Sequence, residues 1–134
     1  MANATVQWLS GKKFMVVDST NHSVILSTPA EGVGMKPSEM LLVALASCTA
    51  VDVVEILEKK KVGLQGLEIQ VSAEQDTEPP WAFRKIHLKY FLKGEKLDMK
   101  VAEQAVRLSE EKYCSVAATV RGVAEISWEI ELVN

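Results

Sequence analysis

The stretch that most constrains this chain runs from Met40 to about Lys61. Met40 to Ala46 carries no polar side chain, and from there to Leu57 the only polar or charged ones are Ser47, Thr49, Asp52 and Glu55, with Cys48 among them. Glu39 in the first turn and Lys59-Lys60-Lys61 in the last suit the two ends of a helix dipole, so one long helix is expected from Pro37 to about Lys61. Its early half is apolar all round, and such a helix needs cover on every side. Asp52 and Glu55 fall inside the stretch and argue against a membrane span. The reading is a central buried helix, wrapped by sheet or by a partner subunit.

The rest of the chain alternates strand and turn signals. Thr5–Leu9, Phe14–Asp18 and Ser23–Ser27 are β-rich runs parted by Ser10-Gly11-Lys12 and Ser19-Thr20-Asn21-His22, as in a three-stranded meander. Thr28 to Lys36, with Pro29, Gly32 and Gly34, reads as a loop bordering a site. After the helix, Leu67–Ala73 alternates apolar and polar, and Phe83–Leu92 puts Ile86, Leu88 and Tyr90 on one face against His87, Lys89 and Phe91. Leu97–Tyr113 reads as an amphipathic helix with Val101, Ala105, Val106 and Leu108 toward the core. Cys114–Val120 reads as a short helix, and Ala124–Val133 as a closing strand with Ile126, Trp128, Ile130 and Leu132 on one face. The order is βββ–α–ββ–α–α–β, an α+β class with helices packed on antiparallel sheet. At 134 residues, 48% hydrophobic and 25% charged, one domain over 1–134 can bury its own core without metals or disulfides.

Composition excludes several functions. A net charge of −3 leaves no basic excess for phosphates, and 6% aromatics is poor material for a base-stacking surface, so nucleic acid is not an expected partner. No apolar signal core follows Met1-Ala2-Asn3-Ala4, so a cytoplasmic protein with reduced thiols is expected. Two Cys and two His without close spacing make no zinc motif, and neither metal nor cofactor is implied.

Few residues remain for chemistry. Cys48 sits on the long helix with Asp52 and Glu55 on its face, by about 100° per residue. It reads either as a small apolar filler or as a reactive thiol. Cys114 follows Glu110-Glu111-Lys112-Tyr113 at a helix junction, where backbone N–H groups can support a thiolate. The two cysteines lie 66 positions apart, so only the fold can bring them together. His22 in a turn and His87 on a strand read as solvated, and Lys59-Lys60-Lys61 as a solvated helix end. Trp8, Trp81 and Trp128 read as core or interface anchors.

Two segments together resemble a known family. Pro37-Ser38-Glu39-Met40-Leu41-Leu42-Val43-Ala44-Leu45-Ala46-Ser47-Cys48-Thr49-Ala50-Val51-Asp52-Val53-Val54 is similar to the central helix of the OsmC/Ohr family of organic-hydroperoxide-reducing thiol proteins. Ser109-Glu110-Glu111-Lys112-Tyr113-Cys114-Ser115-Val116 resembles its second cysteine segment, and the nearest likeness is to the YhfA-like branch. The resemblance implies an OsmC-like fold: an intertwined homodimer whose long helices pack together between six-stranded sheets, with active sites at the subunit interface. It implies that Cys48 is the peroxidatic thiol, Cys114 the resolving thiol, an organic hydroperoxide the substrate and an external dithiol the reductant. Better-studied branches place a Glu directly after the helix-opening Pro; here Ser38 holds that slot and Glu39 follows. Those branches also carry a thiolate-stabilising Arg in the N-terminal strands, whereas the first Arg here is Arg84. Lys12, Lys13, Lys36, Arg84, Arg107 and Arg121 are the alternative cations. A redox-sensing or small-molecule-binding dimer using the same pocket is the other reading.

Overall fold

A computed structural model describes residues 1–134, and its contacts gather into two compact units, Met1–Leu41 and Leu42–Asn134. The first unit is the expected meander. Strands β1 (Ala4–Ser10), β2 (Lys13–Asp18) and β3 (Ser23–Ser27) pair antiparallel in sequence order. The β1–β2 turn needs Gly11, which has φ +53°, and a Cβ there would stand 2.5 Å from the Glu31 carboxylate. Glu31 instead accepts from the Lys12 N–H at 3.1 Å and faces the Lys13 ammonium at 3.9 Å. Every residue of β1 is exposed, Val6 and Trp8 by 66% and 69%. Trp8 is therefore no core anchor; its indole N–H donates to the Gly11 carbonyl at 2.8 Å.

A 3₁₀ turn, Pro37–Glu39, leads into helix α1, Met40–Lys59. The helix ends two residues earlier than its composition suggests, because Lys61 and Gly63 take positive φ of 55° and 66° and turn the chain away. The second unit continues with strands β4 (Leu64–Gln75) and β5 (Phe83–Gly94), helix α2 (Met99–Leu108), a π-helical turn (Ser109–Tyr113), helix α3 (Ser115–Val120) and strand β6 (Glu125–Leu132). The element order is the expected one. Asp98 caps α2, its carboxylate accepting the Val101 N–H at 2.9 Å.

One expectation needs correction. The second sheet, β4-β5-β6, is mixed, since β4 and β5 form an antiparallel hairpin while β6 lies parallel to β5. The helical crossover from Gly94 to Glu125 returns the chain to the end where β5 began, which a short turn could not do. Within a single chain, helix α1 buries one face. Its buried residues are Leu45, Thr49, Val53 and Leu57, one face at four-residue spacing, while Leu41, Val43 and Val51 are exposed. By length and composition the helix could cross a membrane, yet that face packs in the unit's core.

The core centres on β5, where Ile86, Leu88, Tyr90 and Leu92 are at most 1% exposed, as the alternation of the strand requires. Ala102, Ala105 and Val106 of α2 and Ala117 of α3 close over them. Leu108, expected in the core, is exposed at the end of α2. Trp81 is exposed as well, and Trp128 is half-buried beneath the Arg107 guanidinium, 5.8 Å from its ring.

Candidate active site

The site is built where α1 meets the segment between α2 and α3. On α1, Cys48, Asp52 and Ile56 follow one another at four-residue spacing along the flank of the buried face. Cys48 is half-buried there. Cys114 caps α3 and is 3% exposed, its sulfur accepting the Ala117 N–H at 3.3 Å. Both cysteines are free, and Cys48 lies close enough to Cys114 to raise the pKa of its thiol. Burial, opposed by the Ala117 N–H and reinforced by Cys48, pushes the Cys114 thiol up to about 11. Cys114 is therefore a thiol, not a thiolate, at neutral pH.

Cys114 reaches this place through an irregular turn. The sequence reads as one helix from Leu97 to Tyr113, but after Leu108 the chain widens into a π-turn, and the Cys114 N–H bonds the Ser109 carbonyl at 2.9 Å, five residues back. In an α-helix that N–H would meet the Glu110 carbonyl. The Arg121 guanidinium takes the vacated oxygen instead.

Side chains pin the turn on two sides. The Ser109 hydroxyl is fully buried and points at α1, 2.9 Å from Asp52 Oδ2 and 3.3 Å from the Thr49 carbonyl. Glu110, 4% exposed, points toward β5, where Oε1 accepts the Tyr90 hydroxyl at 2.8 Å and Oε2 has no partner. Burial raises the Glu110 pKa, against the pull of Tyr90 and Arg121. Burial first, then the Glu110 charge, raises that of Tyr90 too.

Sequence reasoning found the two cysteines and Asp52 but missed Tyr90, Ser109, Glu110 and the structural part of Arg121. A signal was present. Ala102, Ala105 and Val106 mark the buried face of α2, and Ser109 and Glu110 continue it at three- and four-residue spacing. Polar residues at core positions of a helical pattern need buried partners.

The other candidates have these surroundings. Glu39 belongs to the first unit, exposed in the 3₁₀ turn. Glu55 is exposed and lines an open cavity of about 630 Å³ together with Asp52, Ile56, Lys59, Lys60, Leu108 and Tyr113. Arg84 is committed to a two-pronged pair with Asp76 at 3.0 Å. The histidines are partnered rather than merely solvated. His22 bonds Thr20 at 2.8 Å, and His87 bridges Ser127 at 2.7 Å and Glu129 at 2.5 Å across the β5–β6 register. That partner strand is parallel, a pairing the sequence pattern did not suggest.

Comparison with known proteins bears on the same segments. A family profile described as OsmC-like protein matches residues 29–129. The chain is 32% identical to Protein YhfA of Escherichia coli K12 over 130 residues, 97% of each. A crystal structure of a hypothetical protein from Aquifex aeolicus is 32% identical, with a TM-score of 0.85 over 100% of this chain and 98% of that one. The organic hydroperoxide resistance protein OhrB of Bacillus subtilis shares the fold at a TM-score of 0.65 and 20% identity, over 98% of both chains.

Proposed function

Since the chain belongs to the OsmC-like family, we propose that it is a thiol-dependent peroxidase for organic hydroperoxides, with Cys48 attacking and Cys114 resolving. The observation that carries this reading is the pair of free cysteines, 66 positions apart in sequence, with neighbouring thiols. The structural relatives that bear the name organic hydroperoxide resistance protein support the same chemistry.

The Cys48 thiolate attacks one oxygen of the peroxide. The S–O bond forms as the O–O bond breaks, and the alkoxide takes a proton and leaves as alcohol. Cys114 then attacks the Cys48 sulfenic sulfur; the disulfide forms and the oxygen departs as water, carrying the thiol proton of Cys114. An external dithiol reduces the disulfide and resets both thiols. Burial that keeps Cys114 protonated leaves the half-buried Cys48 as the thiol that meets the peroxide, and Cys114 gives up its proton only as it closes the disulfide. Glu39 is the acid offered by the family resemblance, one place beyond its usual slot.

The functional form in this reading is a cytoplasmic homodimer. The exposed Val43 and Val51 of α1 are the surface a second copy would cover. Gel filtration at micromolar concentration is expected to give twice the chain mass.

The redox-sensor reading has one observation in its favour, the high pKa of Cys114, which slows exchange. Cumene hydroperoxide added to reduced protein separates the two. The peroxidase loses both thiols quickly and turns over with a dithiol; a sensor loses them slowly without turnover. Protein that keeps both thiols sinks both readings.

A further inference from the structure

We propose that Ser109 and Asp52 are positioning residues for the thiol pair: their hydrogen bond sets where Cys114 stands against Cys48 and governs disulfide closure rather than attack on the peroxide. The inference rests on the thiol-peroxidase reading for its setting, and on geometry for its content. Ser109 is bonded in two directions. Its hydroxyl reaches α1 at Asp52 Oδ2 (2.9 Å) and the Thr49 carbonyl (3.3 Å), and its own carbonyl holds the Cys114 N–H at 2.9 Å. Asp52 stands one helical turn after Cys48 on the same flank of α1. A single buried residue therefore ties the backbone of one cysteine to the helix of the other.

The tie matters most for the second chemical step. In that step Cys114 sulfur bonds Cys48 sulfur, the S–O bond breaks, and water leaves with the Cys114 proton, so no reactant beyond the sulfenic acid is needed. A disulfide tolerates little error, with Cβ atoms about 3.5–4.5 Å apart. Attack on the peroxide involves Cys48 alone and makes no demand on the π-turn. The other anchor of the turn, Glu110 on Tyr90, joins it to β5 and leaves the α1 side to Ser109.

The test uses full-length Ser109→Ala, Asp52→Ala and Asp52→Asn. Reduced protein receives one equivalent of cumene hydroperoxide; dimedone traps the sulfenic acid and mass spectrometry counts the disulfide. In Ser109→Ala and Asp52→Ala, sulfenic acid is expected to form within about twofold of the native rate and to accumulate, because closure slows about tenfold or more with the loss of pre-set geometry. Asp52→Asn keeps an oxygen that accepts from Ser109, and it should close within about threefold of the native rate. A glutathione redox titration reads the clamp without any peroxide. A tenfold fall in the disulfide equilibrium constant moves the pair's potential up by about 30 mV. Closure at the native rate with an unchanged potential in Ser109→Ala overturns the proposal, and so does an equal fall in both chemical steps. Native protein inert to peroxide, with variants still shifted in the titration, defeats the peroxidase reading and leaves the clamp standing.

Discussion

The two sheets make the clearest contrast in this molecule. Each has three strands, and each strand carries apolar residues. In β5 four alternate side chains are sealed, whereas all seven residues of β1 are exposed, including Val6, Trp8 and Leu9. The difference lies in cover rather than in sequence character. The helices that close over β5 belong to its own compact unit. The thiol pair sits in that covered unit, where burial can raise a thiol pKa and hold a turn in one geometry.

The largest expected effect breaks the covered side. Leu88→Ala removes a fully buried side chain from the middle of β5 and should cost about 2–5 kcal/mol, read from urea unfolding. A loss below 1 kcal/mol would mean that β5 is not the centre of the core.

The next effect is a pH dependence with a definite sign. Cys114 has its ordinary value of 9.0 in the unfolded chain and about 11 in the fold. The folded state thus prefers the protonated thiol; its stability is fully present below pH 9.0 and is lost as pH rises toward about 11. Cys114→Ser should make the fall of the urea midpoint across that window shallower, leaving the part above pH 10.0 that the buried Tyr90 hydroxyl contributes. Cys48→Ser should lower the alkylation pKa of Cys114 from about 11, because Cys48 raises it, while burial, the larger cause, keeps it above 9.0. An unchanged value would remove Cys48 from its surroundings.

The smallest effect belongs to β1. Val6→Thr on the exposed strand should change stability by no more than about 0.5 kcal/mol in dilute protein. A larger loss that grows with protein concentration would show that a second copy covers this sheet.

The legible parts of the fold were those with strong local periodicity. The alternation of Phe83–Leu92 located the buried face of β5, and the apolar run after Met40 located α1. The site was half legible. Cys48 and Cys114 stand out as residue types, but their meeting is a long-range event that no spacing encodes. Ser109 and Glu110 looked like ordinary polar residues on a helix, although their positions continue a core face. The antiparallel expectation for β6 failed because strand alternation carries no direction; the crossover decides it.

By itself the sequence determined the elements, the α+β class, the core face of β5 and the family, because these follow from local periodicity and contiguous motifs. The tertiary structure alone decided the parallel return of β6, the π-turn and the approach of Cys114 to Cys48. Each of those depends on hydrogen bonds between residues far apart in the chain, whose energies enter only once the fold has closed.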